Sequence, residues 1–338
     1  ESTQTLTVAT QKGVDVNFNS VDLTLSMQDF SDRILTPAMS RLAADLDSVV
    51  RTAVTKDVYN LVGTPGTTPA TLLVALNANT KLSQGLAPDD GKWNILYDSL
   101  ASQATVNALT GLFQSSSQIK EQYEEGVMGL AAGFKWLKSE SFPKITNGSR
   151  DDTTPVVNTS TGITSGTATI AITAEDASAT IKQGEVFTVG DVFAVNPETK
   201  EVYAHLQQFV ATADATASSG AVTVSVSPTP ITSGAKQNVS LVSAGASKAV
   251  VHVAAGGSGA ASTAYPQHMA WHKDAFTMVT ADLEMPQGVD FAAREQLDGI
   301  SLRVVRQYDI NNDTFPCRID VLYGYKTVRP EWACRITG

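Results

Sequence analysis

In the run YDINNDTFPCRIDVLYGY, Tyr308 to Tyr325, Asp309, Asn311 and Asp313 place oxygen-bearing side chains at alternate positions. That is how a calcium loop opens. A helix–loop–helix site also needs a Gly at the sixth position and a bidentate Glu at the twelfth. Those positions hold Thr314 and Asp320, with Pro316 between them. Beyond the turn, Phe315, Cys317, Ile319, Val321, Tyr323 and Tyr325 alternate with Arg318, Asp320 and Gly324, the period of a strand. The pattern predicts a strand over Ile300 to Tyr308, an Asn/Asp turn and a return strand, with no metal at the turn.

Other chemistry-bearing residues meet similar objections. His268 and His272 stand four apart in HMAWH, the spacing that puts two imidazoles on one helical face for zinc. The neighbour of His268 is Met269 where the metalloprotease form carries a Glu, and no third ligand is apparent. VVHVAAGGSGAAS, Val250 to Ser262, offers Gly257-x-Gly259-x-x-Ser262, close to a dinucleotide fingerprint. That motif requires a helix at once, and Tyr265-Pro266 reads as a linker instead. His205 and His252 lie singly in strand patterns with no flanking acid. Cys317 and Cys334 lack C-x-x-C spacing and read as small buried apolar residues of a chain made in a reducing compartment. A disulfide between them stays open. There is no Gly-x-Ser-x-Gly elbow and no phosphate loop. The expectation is a chain that is not an enzyme, with no catalytic, cofactor-binding or metal-binding residue.

The elements that would carry these residues change character along the chain. Leu6 and Val8 alternate with Thr5 and Thr7, Lys12-Gly13 reads as a turn, and Val14, Val16 and Phe18 form a second strand. Ser26 with Asp29 forms a capping box for a long helical pattern running to Leu61, in which Pro37 marks a kink or a split. A second helix is predicted from Thr68 with Pro69 in its first turn, a strand at Trp93 to Tyr97, and helices over Ser99 to Phe113 and Ser116 to Glu125. Gly126 to Gly148 turns to strand, ending at an exposed Asn147-Gly148 turn.

From Ser149 to about Ser262 the composition shifts to Thr, Ser, Val, Ala and Gly. TATIAIT, GEVFTVG, VFAVN, HLQQFVATA, AVTVSVSP, QNVSLVS and KAVVHVAA recur as short strands between turns. This predicts a β-barrel or sandwich inserted into a discontinuous α+β domain, giving segments 1–148, 149–262 and 263–338.

The 338 residues, 42% hydrophobic and 17% charged, can bury a sizeable core. A net charge of −10 argues against a general nucleic-acid-binding role, which needs clustered Lys and Arg. No apolar run reaches the roughly 18 residues of a membrane span. The chain opens at Glu1 directly into TQTLTVAT, which leads to the expectation that upstream sequence has been removed. Arg294, Glu295, Arg303, Arg306, Asp309, Arg318, Asp320, Arg329 and Glu331 form no single-sign block. They fit either ordinary surface pairs or contacts between subunits.

AWHKDAFTMVTADLEMPQG, Ala270 to Gly288, with GISLRVVRQYDINNDTFPCRIDVLYGYKTVRPEWACRI after it, resembles the closing segment of major capsid (coat) proteins of tailed bacteriophages. GLAAGFKWLKSESFPKITNG is similar to the family segment that leads into an inserted domain. IKQGEVFTVGDVFAVNPETKEVYAHLQQFVATAD resembles that insertion, a small β-barrel carried by one branch. The resemblance implies the capsid fold of spine helix, extended loop, axial and peripheral domains. It makes residues 1 to 18 part of a loop overlapping a neighbour, Ser26 to Leu61 the spine helix, and the 300 to 325 hairpin part of the spine's sheet. It implies a structural protein of the virion that assembles with itself, as hexamers and pentamers, into an icosahedral shell around phage DNA in the bacterial cytoplasm. The implied partners are scaffolding and portal proteins and a decoration protein, with DNA contacted weakly and no membrane. The alternative is a phage or bacterial surface-binding protein whose β-domain recognises a glycan or receptor.

Overall fold

A computed structural model describes residues 3–19, 36–109, 129–149, 154–158, 160, 162–173, 175, 177–242, 247–253, 264–297 and 299–338. The Ser26 capping box, the 116–125 helical pattern and the Gly257 and Gly259 run lie outside them. In chain order the elements are β1 (Thr10–Asn19), α1 (Thr36–Asp57), β2 (Leu61–Val62), α2 (Leu72–Gln84), β3 (Trp93–Tyr97) and α3 (Ser99–Leu109). Then come β4 (Leu130–Ala131), β5 (Phe134–Lys138), β6 (Lys144–Thr146), β7 (Val156–Val157), β8 (Thr169–Thr173), β9 (Thr180–Ile181), β10 (Val186–Val195) and β11 (Val202–Ala211). The remainder are β12 (Ala215–Thr216), β13 (Val222–Ser227), β14 (Val239–Leu241), β15 (Val250–Val253), β16 (Ala264–Pro266), β17 (His268–His272), β18 (Phe276–Ala281), β19 (Phe291–Leu297), β20 (Ile300–Arg306), β21 (Thr314–Thr327) and β22 (Ala333–Ile336). They form two compact units, 1–50 with 276–328, and 51–275 with 329–338.

The first unit is organised by β21. Its 14 residues pair with β1 along one edge and with β20 and β18 along the other, and β19 extends the sheet beyond β20. Because side chains alternate across a strand, Ile319, Val321 and Tyr323 fall on one face. Ala38, Leu42 and Leu46, one turn apart on α1, cover that face together with Val14, Val16, Leu302 and Val304.

Two expectations change here. Lys12-Gly13 is not a turn: β1 runs straight through it, with Lys12 opposite Val321 and Gly13 opposite Asp320. Gly13 is present for close approach, since a Cβ there would sit 3.0 Å from both the Asp320 Cβ and the Ile319 carbonyl oxygen. The strand expected around Leu6 and Val8 is also not formed: residues 3–9 carry no strand, and β1 begins at Thr10, with Phe18, 4% exposed, stacked on Phe315.

The second unit contains a six-stranded mixed sheet of order β2-β22-β17-β3-β5-β4. Ala75, Ala78 and Leu82 of α2 and Ala101 of α3 share a core with Trp93, Ile95, Tyr97, Phe134 and Ala270; the small alanines let the helices pack close. The first long helix ends at Asp57 and not at Leu61, whose backbone pairs in parallel with Arg335 of β22. Pro37 is the second described residue of α1. The second helix begins at Leu72, four residues later than the Thr68-Pro69 signal suggests.

The same unit contains a small closed barrel. Its sheet runs β14-β10-β11-β13-β8-β7 with β15 also on β10. Closure comes from the Val156–Ala249 bridge, the Val157 N–H donating to the Lys248 carbonyl at 2.9 Å and the Val250 N–H to Pro155 at 2.8 Å. Closing removes the open edges that an isolated sheet would expose. Phe187, Val189, Phe209, Ala211, Val222, Val224 and Val226 alternate inward and fill it. GEVFTVG and VFAVN are one strand, β10, whose register shifts between Thr188 and Phe193, where Asp191 takes a positive φ of 61°.

If β1 is integral to its own sheet, a chain lacking residues 1–19 should lose at least about 3 kcal/mol of monomer stability, because the burial of Phe18, Val14 and Val16 is lost and their partners Phe315, Ile319 and Val321 are uncovered. Denaturant unfolding of the monomer measures this; an unchanged midpoint would show the strand to be dispensable.

Candidate assembly site

The residues singled out for chemistry are occupied with structure. In the β20–β21 hairpin the Asp309 carboxylate accepts the Asn311 N–H at 3.0 Å and the Asn312 side-chain amide at 2.8 Å, and the Tyr308 hydroxyl donates to Asp313 at 3.1 Å. The Asn312 amide first, then the Asn311 N–H, hold the Asp309 carboxyl below its ordinary value. The oxygens that suggested a calcium loop shape an Asx turn.

His268 and His272 lie on strand β17 and not on a helix, so four residues separate them by roughly 13 Å and they cannot share one ion. His272 Nδ1 accepts the Asp274 N–H at 3.2 Å and Nε2 lies 3.1 Å from Asp90. His268 is wedged between the Tyr97 and Phe142 rings, and burial lowers its pKa against the opposing pull of Asp98. His252 does have an acid, Glu175, at 2.9 Å inside the barrel with both residues buried; 77 positions of sequence hide that pair. Cys317 and Cys334 are free and buried, and burial pushes the Cys334 thiol up to about 12.

The charges of the C-terminal third are mostly paired within the chain. Arg303 forks onto Asp320 at 3.0 and 2.6 Å, and Gln11 donates to the same carboxylate at 2.6 Å. Arg306 meets Asp290 at 2.9 Å, Arg318 meets Asp15 at 2.8 Å, and Arg294 meets Asp282 at 3.5 Å. Asp320 is 1% exposed, so its bidentate pair is a fixed part of the sheet, whereas the others are surface pairs contributing about 0–1 kcal/mol each.

How the barrel is fastened was not legible from any motif. Its entry and exit strands, β6 and β16, pair with each other as a two-stranded stem. Asn147-Gly148 is buried and not an exposed turn: the Gly148 N–H donates to the buried Glu185 carboxylate at 2.5 Å, and the Thr180 backbone leaves no room for a Cβ. Leu61 is held on both sides by one amide, its N–H donating to Gln208 Oε1 and its carbonyl accepting from Gln208 Nε2, each at 2.9 Å. Around that pair pack Val186, Val210, Tyr59 and Val253.

Arg335 on β22 is completely buried. Its Nη1 donates to the Gly184 carbonyl at 2.6 Å and to Gln267 Oε1 at 3.2 Å, and its Nη2 to the Lys56 carbonyl at 3.4 Å. One guanidinium thus ties the barrel's β9–β10 turn, the start of β17 and the end of α1. Burial lowers its pKa to about 10, with Tyr265 and Asp57 opposing, so it stays cationic at neutral pH.

Large apolar side chains remain outside these cores. In the second unit Leu73 and Leu76 of α2 are 63% and 44% exposed, and Leu100 and Leu130 are exposed as well; in the first, Ile310 stands at the hairpin tip at 80%. Neighbouring exposed leucines on one helix are the kind of surface that a partner covers.

The family model of the P22 coat protein, gene protein 5, matches residues 3–338. The chain belongs to this coat protein family. Among solved structures it is similar to that of Mycobacterium phage Che8, at 12% identity over 98% of this chain and 71% of that one, with a TM-score of 0.47. The capsid of the cyanophage P-SCSP1u gives 11%, 98%, 73% and 0.45. The CUS-3 coat protein I-domain gives 25% identity over 32% of this chain and 92% of that one, with a TM-score of 0.20. Comparison with curated proteins returns no match. As a coat protein, the chain is a structural subunit that self-assembles into a phage capsid and resides in the virion. Its fold is the α+β coat fold of tailed phages carrying a β-rich domain.

Replacing Arg335 by Met should cost about 3 kcal/mol, because the carbonyls it serves stay buried without donors. Chemical denaturation of the monomer checks this, and a loss below about 1 kcal/mol would show that water replaces the guanidinium.

Protonation gives a second test. Burial lowers His205 to about 4, with Lys81 adding to the shift, and His268 moves the same way. Both stay neutral to lower pH in the folded chain than in the unfolded one, so stability falls as pH falls below about 6.5, for His205 down to about 4. A chain carrying His205→Asn and His268→Phe should show a shallower drop in melting temperature between pH 6.5 and 4.5; an unchanged slope would assign the drop to other groups.

Proposed function

We propose that this coat protein forms hexamers and pentamers that close into an icosahedral shell around phage DNA, and that the shell is built in the bacterial cytoplasm with scaffolding and portal proteins and strengthened by a decoration protein. The observation that carries this reading is the family match over residues 3–338. A net charge of −10 suits a wall that lines a DNA-filled space without gripping the phosphate backbone. The chain acts without catalysis: the buried His252–Glu175 pair is shut off from any substrate, and the hairpin carboxylates are committed to their turn. The barrel, read as an insertion over 149–262, serves as a fixed module of each subunit.

Negative-stain imaging of the purified chain co-expressed with its scaffold should show closed particles of uniform diameter. A chain that stays monomeric under those conditions would overturn the reading. Leu73→Asp with Leu76→Asp should cut particle yield at least tenfold while leaving monomer melting unchanged, because both side chains already face solvent. Equal yield would remove α2 from the subunit contacts.

A further inference from the structure

Where the stem, the barrel and the end of α1 meet there is a cleft of about 460 Å³, lined by Lys56, Lys144, Asn147, Lys182, Gln183 and Asp214 among others. In a chain of net charge −10, this cleft brings three lysines together against one carboxylate. The carboxylate is already engaged: Asp214 accepts the Gln183 N–H at 2.8 Å and the Lys182 ammonium at 3.0 Å. The hydrogen bond from Gln183, then that from Lys182, and finally the field of Lys182 and Lys56 hold it below its ordinary value. No carboxylate among the described residues is ion-paired with Lys56 or Lys144.

Beside these cations lies Asn147, only 2% exposed, whose side-chain amide has neither a donor for its oxygen nor an acceptor for its nitrogen among the described residues. A buried amide left wholly unpaired costs free energy, so a ligand that satisfies both of its atoms gains what the empty arrangement forfeits. Two demands therefore fall on one occupant. It must be anionic, to answer Lys56 and Lys144, and it must carry both acceptor oxygens and a hydroxyl donor. A carboxylate, a sulfate and a phosphodiester meet only the first. Hydrogen phosphate meets both, and a cleft of this size admits it together with water.

We propose that this cleft is a binding site for inorganic phosphate in its hydrogen-phosphate form, with Lys56, Lys144 and Lys182 supplying charge and Asn147 supplying selectivity. Phosphate held there bridges the stem, the barrel and the end of α1, and so strengthens the attachment of the barrel to its own chain.

Isothermal titration of the full-length chain at pH 7 and constant ionic strength would use sodium phosphate, sodium sulfate and an oligothymidylate as probes. Phosphate should bind at one site per chain, at least tenfold tighter than sulfate, and the oligonucleotide should not bind. Lys144→Gln, at an exposed position, should weaken phosphate about fivefold. Asn147→Leu, nearly isosteric, should erase the preference for phosphate over sulfate without lowering the melting temperature measured in phosphate-free buffer. Sulfate binding as tightly as phosphate, phosphate binding unchanged in Lys144→Gln, binding of the oligonucleotide alone, or an adventitious ion only, with no saturable stoichiometry, would each overturn the proposal.

Discussion

The second unit depends on a cation that has left water and whose hydrogen bonds, among the described residues, go to neutral acceptors. Arg335 lies fully buried three residues from the end of the sequence, and its hydrogen bonds end on two backbone carbonyls and one amide oxygen. Burying a charge this way is tolerated only when several strong hydrogen bonds offset the lost hydration. That condition explains the rest of the neighbourhood. Gly184 takes a positive φ of 94°, and a Cβ on it would sit 2.9 Å from Lys56 Cγ, so its carbonyl reaches the guanidinium only because the residue is glycine. β22 must lie beside β2 and β17 to carry Arg335 into place, which is why the first long helix stops at Asp57 and Leu61 turns to sheet.

The first unit obeys a different constraint, the length of β21. A strand paired on both edges needs neighbours that approach its backbone without collision, and Gly13 on β1 and Gly324 on β21 supply that room. A Cβ at Gly324 would fall inside contact distance of the Thr7 backbone. The polar side of β21 is not simply solvated either, since Asp320 is buried beneath Arg303 and Gln11. This strand therefore reads as alternating in sequence although both of its faces are partly covered.

What the sequence made legible follows from which interactions are local. Alternation in TATIAIT, HLQQFVATA and AVTVSVSP located the barrel strands, because period-two burial is a property of each segment alone. The same rule placed Trp93 to Tyr97 and the 300 to 325 hairpin. It failed where a residue had two structural uses. Gly13 can serve a turn or a close approach, and only the partner strand decides. Asn147-Gly148 looks like an exposed turn until Glu185 and Thr180 close over it. The fastenings, Arg335, Gln208 and the Glu175–His252 pair, were invisible because each joins residues 68 or more positions apart and belongs to no motif. A buried Arg or Gln in a strand carries no mark that separates it from a surface one.

The choice of arginine follows from its acceptors. In a buried ion pair between two side chains, both partners can be exchanged for apolar residues with little loss. Here two of the acceptors are the main-chain carbonyls of Gly184 and Lys56, which no substitution can remove. An apolar residue at 335 would therefore strand them, and lysine, a compact charge without a planar fork, would not reach groups that approach from different sides. The barrel has its own filled interior, and the apolar contact around Leu61, Val186 and Val210 is small beside it. Apolar contact is non-directional and would tolerate sliding, whereas the Arg335 fork and the two-sided Gln208 amide allow a single registration. For a subunit that must be repeated many times in one shell, a unique setting of the barrel on its own chain matters more than the last increment of stability, and hydrogen bonds to backbone supply it.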